Sequence, residues 1–196
     1  MMAIALLAAL STMALAQTAE RPAVRPGDQW RFVEWYTVPS TAPTRHWVIT
    51  SVTPAGIEGT ENGEPLLLSP DLSVLDSPRT RESRAASLRF PLAVGERWRY
   101  DSDWLFKPKG SSGTMSVEVA VLAYEKVRVP AGEFDAFRLV STRQVRGRSS
   151  FGSVIDGENV TTFWYAPAAR AVVKAVNRNP YLGPSTVELV DYELRP

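Results

Sequence analysis

Alternation with a period of two runs through this chain and excludes most helical folds. Trp98, Tyr100, Trp104 and Phe106 share one parity, while Arg97, Arg99, Asp101 and Asp103 hold the other. Successive side chains of a strand point to opposite faces, so this pattern describes a strand with an aromatic inner face and a charged outer one. Met115, Val117, Val119 and Val121 alternate with Ser116, Glu118 and Ala120 in the same way. Near the end, Val187 and Leu189 keep one parity and Val190, Tyr192 and Leu194 keep the other. That switch requires a bulge or burial on both faces.

Turn chemistry divides the alternating stretches. Asn62-Gly63 and Asp156-Gly157 supply the positive φ angles of tight hairpins, the first between 57–61 and 65–68, the second between 151–155 and 160–165. Residues 110–113 join two further strands, and Pro130-Ala131-Gly132 and Pro167-Ala168-Ala169 form corners. Residues 80–88 have the composition of a short helix and equally that of a solvated loop. The expected fold is mainly β: a single curved antiparallel sheet, a half-barrel or open barrel of about ten strands, with at most one or two short helices.

Residues 1–16 read as a signal peptide. An apolar run over 4–10 precedes the small-residue site Ala14-Leu15-Ala16. The run falls short of the ~20 residues that a helix needs to span a bilayer, and no later segment reaches that length. Residues 17–196 suit one domain. The chain has no cysteine, which excludes disulfides and thiol catalysis and leaves nothing for a lipid anchor. The expected location is the periplasm or the medium. Net charge is +1, from 22 basic and 21 acidic residues, so no global field draws nucleic acid or an anionic membrane.

Catalytic constellations are thin. The lone histidine, His46, lacks a Gly-x-Ser-x-Gly elbow to work with and reads as a strand residue on the polar face. One histidine and no cysteine make a zinc site improbable. Asp101 and Asp103 share a strand face and could offer oxygen to calcium, but a solvated face beside Arg97 and Arg99 explains them better. Glu133 with Asp135, and Asp156 with Glu158, are carboxylate pairs of the kind a glycosidase uses. Both sit at expected turns, where carboxylates serve as turn formers. Arg143, Arg146 and Arg148 make the densest positive run, either an exposed hairpin end or a contact for an acidic polymer or lipid headgroup. No cofactor is expected, because no phosphate cradle is present.

Two segments echo each other. Pro26-Gly27-Asp28-Gln29-Trp30-Arg31-Phe32 parallels Val94-Gly95-Glu96-Arg97-Trp98-Arg99-Tyr100, and Thr53-Pro54-Ala55-Gly56 parallels Val129-Pro130-Ala131-Gly132. The echo relates 26–60 to 94–140. It stands either for a duplication or for one common turn used twice.

Residues 95–100, 127–137, 162–167 and 189–192 carry a resemblance. A Gly-acid-x-Trp strand, a Val-x-Val-Pro-Ala-Gly-x-Phe-Asp-Ala corner, a Thr-Phe-Trp-Tyr-x-Pro strand and a closing Leu-Val-x-Tyr strand resemble a broad class of uncharacterised Gram-negative periplasmic proteins with a domain of unknown function. That class looks similar in outline to the lipoprotein-carrier superfamily, whose curved sheet holds acyl chains on its concave face. The resemblance implies a fold and transfers no site residue.

Six tryptophans remain to be placed, and each aromatic buries about 150–250 Å². A single sheet with little helix cannot cover so much aromatic surface alone. These residues point to a non-enzymatic exported protein that holds a lipid or other apolar molecule, with Trp30, Trp98, Tyr100, Trp104 and Trp164 as the candidate contacts. An interaction or assembly module that meets another envelope protein is the alternative, and a carboxylate-dependent hydrolase is the third.

Overall fold

The computed structural model describes residues 17–36, 44–180 and 183–196; the expected signal peptide lies outside them. The strands are β1 (Thr18–Ala19), β2 (Gln29–Tyr36), β3 (Thr44–Thr53), β4 (Gly56–Glu61), β5 (Glu64–Leu68), β6 (Val74–Asp76), β7 (Thr80–Glu82), β8 (Leu92–Ala93), β9 (Arg97–Phe106), β10 (Ser111–Val129), β11 (Gly132–Arg148), β12 (Val154–Ala166), β13 (Ala171–Asn179) and β14 (Gly183–Glu193). Twelve close into an antiparallel barrel that runs from β2 through β7, crosses to β9, continues to β14 and returns to β2. β1 and β8 pair separately as a small ribbon.

Closure corrects the expected half-barrel of about ten strands. Residues 65–68, expected as a hairpin strand, form β5, whereas 74–82 alternate too weakly to read as wall and yet supply β6 and β7. The last two are three residues each, and they bridge β5 to β9. Residues 80–88 are neither helix nor solvated loop. They begin as β7, then run irregularly with Ala85 and Leu88 buried, and Leu88 joins the core cluster that contains Val117, Val119 and Leu139. Helix among the described residues is confined to two 3-10 turns, Lys107–Lys109 and Pro167–Ala169.

The alternation sets the faces as expected. Tyr100, Met115, Val117, Val119 and Val121 are buried, while Arg97, Arg99, Asp101 and Asp103 are exposed. Ion pairs such as Lys174–Glu188, Arg138–Glu125 and Arg99–Glu118 cover the outside. Apolar within and charged without is the reverse of a transmembrane barrel, which presents an apolar band to lipid. No helix among the described residues is long and apolar enough to cross a membrane. The parity switch in β14 is a register shift between Leu189 and Asp191 that bulges the strand at Val190.

Hairpins match the turn chemistry at two places and depart from it at a third. Asn62 and Gly63, both at positive φ, link the Glu61–Glu64 pair, and Pro130-Ala131 links Val129 to Gly132. Asp156-Gly157, by contrast, lies inside β12, opposite Arg146 and Val145. The reversal falls earlier, where Ser149 and Ser153 exchange bonds across Gly152. The two echoing segments share a bonding pattern. Gly27 N–H donates to Ile49 and Ile49 N–H to Asp28, while Gly95 N–H donates to Val121 and Val121 N–H to Glu96. Each partner strand bulges directly after that residue.

β10 and β11 leave no room for side chains where Gly113 faces Gly147. A Cβ on Gly113 would fall on the Arg146 carbonyl oxygen, and one on Gly147 would lie 2.7 Å from the Trp104 ring. Gly147→Val therefore forces the Trp104 ring and the β10 backbone apart. The expected loss is about 2–4 kcal/mol in urea unfolding, against less than about 0.5 kcal/mol for the neighbouring exposed Gln144→Val.

Candidate ligand-binding lumen

A twelve-stranded barrel is wider than the eight-stranded size that side chains just fill, so its interior keeps space. One end is packed by Val127, Val129, Phe134, Ala136 and Leu189. Above them lies a cavity of about 290 Å³, walled by Trp30 and Phe32 of β2, Trp47 of β3, Leu68 of β5, Phe163 of β12 and Leu88. It continues past Arg45, Trp47, Val74, Glu82 and Arg143 into a second space of about 520 Å³. That space reaches Lys109, Ser149 and Asn179 at the rim.

The aromatic wall is fixed in place. Trp30 donates its indole N–H to the Ala169 carbonyl at 2.8 Å, so the corner at Pro167–Ala169 sets its rotamer. Trp47 donates to Glu61 Oε2 at 2.9 Å and meets Phe32 edge to face, with centroids 5.3 Å apart. A wall held this way is a preformed apolar surface.

Charges line the same interior. Glu34 is buried and pairs with Arg45 and, at 3.1 Å, with Arg79. Burial pushes its carboxyl up, but the two guanidinium groups outweigh that and hold it below its ordinary value of 4.5. Glu82 has one weaker cation, Arg143, at 3.4 Å. There burial prevails, and the carboxyl sits above its ordinary value. Arg143 directs Nη1 to Glu82 and Nη2 to Ser87 Oγ, each at 3.4 Å. Its Nε, with Ser141 Oγ and Asn159 Oδ1, is buried without a hydrogen-bond partner.

The five expected contact residues scatter. Trp30 lines the inner cavity and Trp104 the outer space. Trp98 donates to the Ala86 carbonyl at 2.6 Å and Tyr100 packs beside Ser87; both belong to the core under the 83–92 segment. Trp164 holds the parity opposite Phe163 and Tyr165, between Arg138 and Lys174, and donates to Glu125 at 2.9 Å. Phe32, Trp47, Phe163, Ser141 and Asn159 line the lumen without having been singled out as contacts, and Arg143, singled out only within the positive run, lines it too. Parity carried the signal: 139, 141 and 143 continue the face of Phe137, and 159 and 161 continue that of Phe163.

Other singled-out residues lie elsewhere. His46 is on the outer face, its Nε2 2.9 Å from Gln29 Oε1. Glu133 and Asp135 pair across the hairpin with Lys126 at 3.6 and 3.3 Å. Asp156 and Glu158 project from a strand, not a turn, and Glu158 accepts from Gln144 at 2.7 Å. The arginine run is no exposed end as a whole, since Arg143 points inward and Arg146 is exposed.

No protein-family model matches the chain, and no curated protein matches it. Solved structures do. A candidate lipoprotein from Parabacteroides distasonis superposes with a TM-score of 0.54 at 13% identity, covering 89% of this chain and 98% of its own. A candidate exported protein with a YmcC-like fold from Bacteroides fragilis gives 0.53 at 13% identity, covering 89% and 99%. At that identity the likeness is one of fold.

The Glu34 cluster makes stability depend on pH with a definite sign. A carboxyl lowered in the folded state adds stability that is complete above about 4.5 and is lost as pH falls through the folded value. Glu34→Gln is expected to cost on the order of 3 kcal/mol near neutrality. Its deficit against the unmodified chain should narrow below about pH 4.5, read by urea unfolding across a pH series.

Proposed function

We propose that this chain is an exported, non-enzymatic protein of the cell envelope that binds an apolar or amphipathic small molecule, such as a single lipid chain, inside its barrel. The observation that carries the reading is the hollow between Trp30, Phe32, Trp47, Leu68 and Phe163, walled by aromatics whose rotamers are already fixed. Its volume lies near the lower end of the ~300–1,000 Å³ of ligand pockets, which suits one chain better than several. The apolar leader over residues 4–10 and the fold shared with a candidate exported protein and a candidate lipoprotein support an envelope location.

An enzymatic reading has less behind it. The histidine lies outside the lumen, and Glu133 and Asp135 are engaged by Lys126 on the surface. Contact with another envelope protein draws on one feature, the β11–β12 hairpin tip, where Phe151 is 96% and Val154 70% exposed. Such a contact is compatible with a loaded lumen and does not replace it.

Ala175 lines the cavity between Phe163 and Val187, so a larger side chain there occupies the hollow. The purified, delipidated chain should take up N-phenyl-1-naphthylamine saturably, with Ala175→Phe at least about tenfold weaker and equally folded by circular dichroism. No saturable uptake, or identical uptake by the variant, would contradict the reading.

A further inference from the structure

Four buried side-chain atoms among the described residues have no hydrogen-bond partner, and three of them, Ser141 Oγ, Arg143 Nε and Asn159 Oδ1, belong to residues that line the lumen. We infer that these three residues form a carboxylate-binding head site, so that the lumen takes a carboxylate-bearing amphiphile in preference to a neutral lipid. This rests on the lumen-binding reading above and specifies its ligand.

Placement comes first. Arg143 and Asn159 are directly opposed on β11 and β12, and residues so paired hold their Cβ atoms about 4.5–5.5 Å apart. Ser141 is two residues along the same face, roughly 7 Å away. The three groups therefore sit side by side where the two spaces join, Ser141 on the inner cavity that Trp30, Phe32 and Trp47 also line, Asn159 on the outer space and Arg143 on both. Buried polar atoms are normally satisfied, and leaving one unpaired is costly. Three together on one wall of one hollow mark where a polar group belongs.

Donor chemistry selects that group. Arg143 has both terminal nitrogens engaged and its Nε–H unspent. Ser141 has a rotatable O–H, and the Asn159 amide can turn its NH2 inward. Arg143 Nε–H and the Ser141 O–H, with the Asn159 NH2 as a third donor once the amide is turned, match a carboxylate, which accepts up to four bonds through two oxygens. Arg45, Arg79, Arg81, Lys109, Arg143 and Arg170 line the lumen with Glu61 and Glu82, and Glu34, Asp76, Glu82 and Asp28 pair with five of these six cations. A hydrocarbon would leave these donors empty, and a neutral ester carbonyl would engage fewer of them and more weakly than a carboxylate. A dianionic phosphate would bring a second negative charge toward Glu82, which also lines the cavity.

Calorimetry with dodecanoate and its methyl ester on the full purified chain separates the possibilities. The acid should bind at least about tenfold tighter than the ester. In Ser141→Ala/Asn159→Leu the acid should fall to the ester's affinity while ester binding holds. Arg143→Lys keeps a cation beside Glu82 and removes the Nε–H, so it should show the same loss and serves if the double variant fails to fold. Equal affinity for acid and ester would mean that water occupies these groups, and would overturn the head site while leaving the lumen reading intact. An acid preference that survives in both variants would also overturn it. Absence of binding by either ligand would overturn the lumen reading and the head site with it.

Discussion

Everything described depends on a short seam of backbone hydrogen bonds. The wall closes only because β7 pairs with β9 through Thr80–Phe106, Arg81–Leu105 and Glu82–Trp104. Three residue pairs are little for a joint that completes a twelve-stranded circuit, and polar contacts reinforce it. Asp76 binds Arg81 at 2.7 Å and Lys107 at 2.5 Å, Lys107 N–H donates to the Arg79 carbonyl, and Ser83 and Asp103 exchange bonds just beyond. Burial alone would raise the Asp76 carboxyl, and Lys107 and Arg81 outweigh it, so the group stays charged where the joint needs it. Closure leaves no free edge on the barrel, the feature through which open sheets aggregate.

Closure also decides what the aromatic residues do. In an open sheet the tryptophans would have needed a partner or ligand to cover them. In the barrel the chain itself covers three of the six wholly or in part: Trp98 under residues 83–92, Trp30 against the Ala169 corner, Trp104 over Gly147. What stays uncovered is a smaller hollow with a mixed lining. Its arginines and glutamates are expensive to hold inside a protein unless paired, and Glu34 shows the well-paired case. Arg143, with its Nε unspent, shows the incompletely paired one. A protein selected for stability alone gains little from such a group, which makes it informative about ligand chemistry.

Much of this was legible in the residues and some was not, for physical reasons. Long strands advertise themselves, so Trp98–Phe106 and Met115–Val121 were readable face by face, and the bulge in β14 followed from its parity switch. Strands of three residues carry no period, which is why β6 and β7, and with them the closure, were invisible. Asp156-Gly157 has hairpin composition yet lies in β12, because pairing with β11 continues on both sides of it and Gly157 lies flat against Val145. Residues 83–92 look polar enough for a loop, but Ala85, Leu88 and Leu92 give them just enough apolar surface to fold inward. The lumen's polar residues could have been found by extending the buried parity of Phe137 and Phe163 toward the rim. A charged residue on an apolar parity looks like noise until the strand is known to be a wall.

Whether the sheet is a closed wall is the claim on which lumen, ligand and seam all stand, and thiol cross-linking addresses it directly. The chain has no cysteine, so Arg81→Cys/Leu105→Cys introduces a single pair at the seam without competitors. Directly opposed residues on antiparallel strands have Cα atoms about 4.5–5.5 Å apart, within the range a disulfide bridges. Mild oxidation should convert the monomer to an intramolecular disulfide with no titratable thiol left. Thiols that stay free, or cross-link only between molecules, would show an open sheet and contradict the account.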